Sequence, residues 1–256
     1  MKLYSKIHGD KGQDLIIMHG LFGMSDNWSS LGRKFSKYCR VHLIDLRNHG
    51  RSPHSIDFNY DVMCEDLLEY ILDNNIQKPI LLGHSLGGKV AMKFAFTHPE
   101  RIAKLIIADI SPRKYNSDFH ENLLATLYKL PLQDFDKREE IDRVLSYAFE
   151  DKGMRLFLLK NLYRNEKKDF AWRFNIEILL EKVNNIQEAD YVKGVCDVPT
   201  HFVKGGASHY ITIKDEIIIN KHFSDFSIAT INGAGHWLHA EKPEKFYNEV
   251  MGFCLL

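Results

Sequence analysis

The sequence lacks closely spaced cysteines, and this absence excludes two kinds of site. Its four cysteines, at positions 39, 64, 196 and 254, are scattered, and no two of them form a C-x-x-C pair. Zinc ribbons and dithiol redox centres need such pairs, because both thiols must reach one metal ion or one disulfide bond. We therefore interpret the cysteines as single buried thiols in a protein of a reducing compartment.

Charge of one sign and long apolar runs are also missing. Lys and Arg together number 34, as do Asp and Glu, so the formal net charge is 0 and does not favour nucleic acid or an anionic membrane. No apolar run approaches the roughly 18 residues that a membrane span needs. The first residues, MKLYSKIHGDKGQD, contain no apolar signal-peptide core. The sequence thus predicts a cytoplasmic protein that binds neither nucleic acid nor membrane, and it gives no indication of oligomeric state.

What the sequence does contain is an alternation of short aliphatic runs with amphipathic stretches. Several runs are apolar on consecutive residues, as in strands that helices cover on both faces. This alternation predicts an α/β fold with a mostly parallel central sheet flanked by helices. The predicted strands are residues 14–20, 40–46, 78–84, 104–110, 200–205 and 226–233, with 2–9 as an edge strand, and the predicted helices lie near 28–38, 60–75, 86–97 and 243–254.

The alternation stops between residues 112 and 194. Charge runs such as QDFDKREEIDR in this segment are typical of solvated helix faces. Apolar residues recur as well, among them Leu123, Leu127, Phe157 and Leu162. A segment too long for a loop and too apolar for a linker predicts a subdomain. We predict a mainly helical cap at 112–194, packed over the carboxyl edge of a core domain formed by 1–111 and 195–256.

A serine stands in the middle of a glycine cluster directly after the third buried strand. Gly83-His84-Ser85-Leu86-Gly87 fits G-x-S-x-G, the nucleophile elbow, and it has the required setting between the strand PILL and the amphipathic run KVAMKFAF. The sharp turn holds the serine in a strained conformation, so residues two before and two after it must lack side chains. We predict that Ser85 is a nucleophile.

A serine nucleophile needs a base, and His236 is the candidate. It lies in the glycine-rich stretch INGAGHWLHAEKP between the last predicted strand and the last predicted helix, on the same sheet edge as Ser85. His239 is close in sequence, but no carboxylate or cysteine completes a ligand set, so we expect no metal. His84 and His19 are interpreted as packing residues near the cleft.

The base in turn needs a carboxylate to orient it. The usual place in this architecture is three residues past a glycine after strand THFVKG, where this chain has Ser208. Asp109, at the carboxyl end of KLIIADISP, is the first candidate instead. Asp215 and Asp45 are the alternatives, although Asp45 reads better as a hydrogen bonder in the turn LIDLRNHGRS.

The negative charge of a tetrahedral intermediate requires two well-placed N–H donors, an oxyanion hole. The backbone N–H of Leu86, directly after the nucleophile, is one predicted donor. The other is predicted in the loop His19-Gly20-Leu21-Phe22-Gly23 that follows strand LIIM, with Leu21 as first choice. Phe22, Trp237, Trp172 and Phe174 could line an acyl pocket or belong to the core.

Six stretches together resemble the α/β-hydrolase superfamily, and in particular the bacterial esterases of the YbfF type and the abhydrolase-domain-11 group. In chain order they are HGLFGMSDNW, DLRNHGRSP, GHSLGGKVAM, HPERIAKLIIADISP, WRFN and GAGHWLHAEKP. The resemblance covers the whole chain. It implies the α/β-hydrolase fold with the cap inserted after the sixth strand of the family's count, where the group carries its acid. This position matches Asp109.

The resemblance also implies the chemistry, that of a serine hydrolase without metal or cofactor acting on small-molecule esters or thioesters, often with short acyl chains. We therefore expect a serine esterase that works through an acyl-enzyme. A carbon–carbon bond hydrolase, a perhydrolase and a menaquinone-pathway-type lyase share this scaffold and remain alternatives. A ligand-binding receptor of the same fold is a further alternative from another class.

Overall fold

The computed structural model describes residues 1–115 and 118–256, and its centre is a seven-stranded sheet. The strand order is β1-β3-β2-β4-β5-β8-β9, and every neighbouring pair is parallel except β1 with β3. The predicted α/β fold with a mostly parallel sheet and an antiparallel edge strand is therefore confirmed. The strands are β1 (Ser5–His8), β2 (Gln13–Met18), β3 (Cys39–Ile44), β4 (Ile80–His84), β5 (Lys104–Ala108), β8 (Thr200–Gly205) and β9 (Phe226–Ile231).

Helices cover both faces of the sheet, because alternate strand residues point to opposite sides. Ile16 and Leu81 lie in the core shared with the α2 and α3 helices, whereas Ile17 and Leu82 pack with α1 and α10 on the other face. The helices of the core domain are α1 (Ser29–Phe35), α2 (Tyr60–Asp73), α3 (Leu86–Thr97), α8 (Ile213–His222), α9 (Leu238–Glu241) and α10 (Pro243–Leu255). None of the helices in the described part of the chain is long and apolar enough to cross a bilayer.

Helix α8 is not among the predicted helices. Its sequence IKDEIIINKH leaves Ile213 and Ile217 exposed to solvent and buries Ile219. The apolar residues therefore form no single stripe, and a stripe of period 3.6 is the signal from which a helix is predicted.

Between β5 and β8 lies the segment predicted as the cap. It contains α4 (Asp118–Tyr128), α5 (Arg138–Ser146), α6 (Lys152–Leu159), α7 (Ile176–Lys182) and a hairpin of β6 (Leu162–Arg164) with β7 (Phe170–Trp172). The strand before this segment is the fifth along this chain, although the family's count makes it the sixth. The hairpin is an addition to the mainly helical prediction, and the domain boundaries at 111/112 and 194/195 stay a prediction.

Candidate active site

Ser85 lies at a sharp turn between strand β4 and helix α3. Its φ of +50° is unusual for a residue with a side chain. The glycines on either side are required sterically. A Cβ on Gly83 would lie 2.2 Å from the carbonyl oxygen of Gly87, and one on Gly87 would lie 2.5 Å from that of Met18. The turn therefore presents the Ser85 hydroxyl at the carboxyl edge of the sheet, at the N-terminus of α3.

Asp109 follows β5 directly and reaches across the sheet edge to His236. One carboxylate oxygen, Oδ2, lies 2.7 Å from His236 Nδ1, and the aspartate is fully buried. Since a carboxylate only accepts, Nδ1 carries the proton and Nε2 is left as the acceptor. The other oxygen, Oδ1, accepts from the backbone N–H of Gly205 at 2.9 Å. This geometry gives His236 the tautomer that a general base needs.

Ser208 also contacts this carboxylate. Its hydroxyl donates to Asp109 Oδ2 and accepts from the backbone N–H of Tyr210. Sequence reasoning noted Ser208 only as the place where a carboxylate is usual and assigned it no role. Strands β5 and β8 are neighbours in the sheet, so the residues that follow them lie close together. The Ser208 hydroxyl, after β8, therefore supports the Asp109 carboxylate, after β5.

The two alternative aspartates have other partners. Asp215 accepts from Arg113 Nε at 2.6 Å and from the N–H and hydroxyl of Thr212. Asp45 accepts from the backbone N–H groups of Ser25 and Arg51, as its interpretation as a turn residue requires. In the described part of the chain neither carboxylate hydrogen-bonds to His236.

Three further contacts hold the ring and backbone of His236. The Tyr210 ring stacks on it at a centroid distance of 3.9 Å and an interplanar angle of 17°. Nε2 of His84 lies 2.8 Å from the His236 carbonyl oxygen, to which it donates, and Trp237 lies at the side. Burial and the neighbouring His236 hold the pKa of His84 well below its usual range. Neither Tyr210 nor the His84 hydrogen bond gives a signal in sequence.

Ser85 and His236 line one cavity, of about 470 Å³. Across the described residues the Ser85 hydroxyl makes no hydrogen bond to the imidazole, which is common in unliganded active sites. The cavity is mostly apolar, with Phe22 and Trp237 from the core and Phe119, Leu123, Phe149, Met154 and Phe157 from the cap segment. Trp172 and Phe174 lie elsewhere. They stack on each other in the core at 5.1 Å, so only two of the four aromatic candidates line the cavity.

The predicted oxyanion donors lie beside Ser85. Residues 20–23 form a turn closed by the Gly23 N–H and the Gly20 carbonyl oxygen at 2.9 Å, with Phe22 at φ +62°. A Cβ on Gly20 would lie 3.2 Å from that of Ser85, so this backbone packs closely against the serine. Within the described residues, the backbone N–H groups of Leu21 and Leu86 have no acceptor, which leaves both available to an oxyanion.

Buried histidines surround the site in neutral form. His19 Nδ1 lies 2.8 Å from the Gly20 carbonyl oxygen, and its Nε2 accepts from the Leu46 N–H at 3.0 Å. Burial lowers the pKa of His19 to about 4 and that of His239, which stacks on Trp28, to about 3. Burial likewise lowers the pKa of His49 to about 3.

We expect acid to destabilise the protein through these histidines. A histidine whose pKa falls from 6.5 unfolded to about 4 folded binds a proton more readily when unfolded. Its contribution to stability is complete above pH 6.5 and is lost as the pH falls towards 4, by about 3 kcal/mol for one group. Urea unfolding between pH 7.5 and 4.5 measures this loss. His49→Gln should make the free energy of unfolding depend less on pH, whereas the same change at the exposed His54 should not. Equal slopes in both variants would contradict the assignment.

Comparison with known proteins gives consistent matches over most of the chain. The model of the α/β-hydrolase fold family matches residues 15–243. Esterase YbfF of Escherichia coli is 32% identical over 90% of this chain and 88% of its own length. The sn-1-specific diacylglycerol lipase ABHD11 of Mus musculus is 33% identical over 98% of this chain and 84% of its own. A solved marine microorganism esterase is 40% identical, with a TM-score of 0.95 over 98% of this chain and 99% of that one.

Proposed function

We infer that this chain, which belongs to the α/β-hydrolase family and is a serine ester hydrolase, uses Ser85 as its nucleophile, His236 as its general base and Asp109 to orient that base. The observation that carries the residue assignment is the 2.7 Å contact of Asp109 Oδ2 with Nδ1 of His236, which lines the same cavity as Ser85. That contact leaves Nε2 of His236 to take a proton, and Ser85 is the proposed donor of that proton.

In the acylation step the Ser85 oxygen attacks the carbonyl carbon of the ester while His236 Nε2 takes the hydroxyl proton. The N–H groups of Leu21 and Leu86 donate to the resulting oxyanion. Collapse of the tetrahedral intermediate breaks the bond to the leaving group. His236 returns its proton to that group, which departs as an alcohol or a thiol. Asp109 stabilises the imidazolium between these events.

Deacylation repeats the sequence with water. His236 Nε2 removes a proton from the water, whose oxygen attacks the acyl carbonyl of the Ser85 ester. The same two N–H groups bind the second oxyanion, and the proton then passes from His236 to Ser85. The products are a carboxylic acid and the free enzyme.

The acyl group is proposed to be short. The cavity next to Ser85 is walled by apolar side chains of the cap segment, such as Leu123, Met154 and Phe157, so the acyl chain has a bounded apolar space. An apolar wall favours an acyl chain by about 0.8 kcal/mol for each CH₂ that it removes from water, until the space is filled.

A series of p-nitrophenyl esters from acetate to palmitate tests this proposal. We expect kcat/KM to rise from acetate through a few added carbons and then to fall, because longer chains exceed the space under the cap. Measuring kcat/KM for thioesters with the same acyl chains shows how the leaving group affects turnover when the acyl length is constant. A maximum at palmitate would overturn the short-chain assignment. Labelling of Ser85 by a fluorophosphonate without turnover of any ester would retain the nucleophile and reject this substrate class.

A further inference from the structure

A lysine of helix α3 joins the core to both ends of the cap segment. Lys89 lies one turn after Ser85 and is only 2% exposed. Its Nζ donates to the carbonyl oxygen of Arg113 and, at 3.3 Å, to that of Glu188. Arg113 stands where the chain leaves the core, after β5, and Glu188 stands where it returns. One buried amine thus hydrogen-bonds to both connections of the cap.

These two connections, residues 111–115 and 186–191, also contact each other, and we call them the cap neck. The backbone N–H of Tyr115 donates to the carbonyl oxygen of Gln187 at 2.9 Å, and Lys114 pairs with Glu188. The rings of Tyr115 and Tyr191 lie 5.1 and 5.8 Å from Lys89 Nζ. The amine is therefore enclosed by the neck rather than by solvent.

The cap neck leads directly to the acyl cavity. Helix α4, which follows residues 111–115 along the chain, supplies Phe119 and Leu123 to the cavity wall. On its other side the neck is tied to the core by the Tyr115 hydroxyl, which donates to the Tyr210 carbonyl oxygen at 2.6 Å. The neck is thus continuous in the chain with a helix that supplies part of the cap wall above Ser85.

We propose that Lys89 is a positioning residue that holds the cap neck against the helix of the nucleophile and thereby sets the cap wall of the acyl cavity. The part concerning catalysis rests on the proposed function. Lys89 belongs to none of the catalytic roles assigned above, because its nitrogen bonds carbonyl oxygens of the neck and not the reacting groups. The two hydrogen bonds of Lys89 act together with the bond from the Tyr115 hydroxyl to Tyr210, which ties the same neck to the core.

The protonation state of Lys89 gives the contact a pH dependence of defined sign. The charged groups near its nitrogen are Arg113 and Glu188. The rings of Tyr115 and Tyr191 face it, and the same small pocket is lined by Tyr60, His120 and Tyr210. Burial, and then the nearby Arg113, lowers the pKa of Lys89 to about 7. Burial also lowers the pKa of His120 to about 4 and raises the pKa of the four tyrosines. Above pH 7 the neutral amine has two N–H groups for its two carbonyl acceptors. When the neck opens, water reaches the Lys89 amine and the amine binds a proton. Opening therefore becomes rarer as the pH rises from 7 towards 10.

Kinetics of Lys89→Met tests the effect on the acyl cavity, with Lys93→Met as the matched control. Lys93 lies one turn further along α3 and pairs with Asp61, away from the cap. In Lys89→Met we expect KM for p-nitrophenyl hexanoate to rise about tenfold, since one to two CH₂ groups lose their wall contact. For the acetate, kcat should stay within about threefold, because a two-carbon acyl group depends least on the cap wall. Equal effects on both esters, or the same change in Lys93→Met, would overturn the proposal.

Hydrogen exchange of the Tyr115 N–H, which reports neck opening, needs no ester hydrolysis and so separates this proposal from the proposed function. In the wild type its protection, corrected for intrinsic exchange, should increase about 25-fold from pH 6.5 to 8.5. Lys89→Met should abolish that increase and Lys93→Met should keep it. The wild-type measurement stands alone if a variant does not fold. Protection that is independent of pH in the wild type would refute the neutral buried amine, and equal protection in the wild type and Lys89→Met would refute the positioning role of Lys89.

Discussion

Ser85→Ala should lower kcat for a short p-nitrophenyl ester by about 10³- to 10⁶-fold. The substitution removes the oxygen that is proposed to form the acyl-enzyme, so only oxyanion binding and a misplaced water could contribute to any residual rate. The fold should persist, because the hydroxyl makes no hydrogen bond among the described residues and the φ of +50° is held by the surrounding turn. Steady-state kinetics and a thermal melt measure the two effects.

Ser146→Ala is the matched control for the nucleophile. Ser146 ends helix α5, is exposed and lies outside the cavity lining. Its loss should change neither turnover nor fluorophosphonate labelling, whereas Ser85→Ala should lose both. Retention of a tenth or more of the wild-type kcat in Ser85→Ala would mean that another group is the nucleophile.

Asp109→Asn should lower kcat by about 10³- to 10⁴-fold, a loss of the size expected when the base adopts the wrong tautomer. An amide that turns its NH₂ towards His236 favours the tautomer with the proton on Nε2, which can then no longer accept from Ser85. The substitution keeps the side-chain volume, so packing around this fully buried position is preserved. In Asp109→Asn, kcat should fall more than KM changes.

Ser208→Ala distinguishes the orienting carboxylate from its support. Among the described residues, the hydroxyl is one of three groups that hydrogen-bond to the Asp109 carboxylate, beside His236 and the Gly205 N–H, so its removal leaves the carboxylate partly held. We expect a loss of about tenfold in kcat, equivalent to about 1.4 kcal/mol. If Asp109→Asn loses no more than Ser208→Ala, the orienting role does not belong to Asp109.

Ser85 and the sheet around it could be predicted because their determinants are local. Consecutive aliphatic residues favour strands buried on both faces, and the side chains that the elbow excludes lie within two residues of Ser85. The same holds for the order, along the chain, of the strands in the mostly parallel sheet. The absence of an apolar stripe in Ile213–His222 explains why helix α8 was missed.

Tertiary structure alone decided how distant residues meet at the sheet edge. Asp109 and His236 are 127 residues apart in sequence, and Ser208 is 99 residues from Asp109. The carboxyl ends of parallel strands lie side by side, which allowed Asp109 to be predicted, but whether the serine after β8 faces that carboxylate depends on loop geometry. The Lys89 contact with Glu188, also 99 residues away, has the same origin. The sequence by itself therefore determined the fold, the nucleophile turn and the candidate base and acid. Only packing between segments far apart in the chain determined the support of Asp109 and the tie between helix α3 and the cap, because such contacts leave no periodic pattern within either segment.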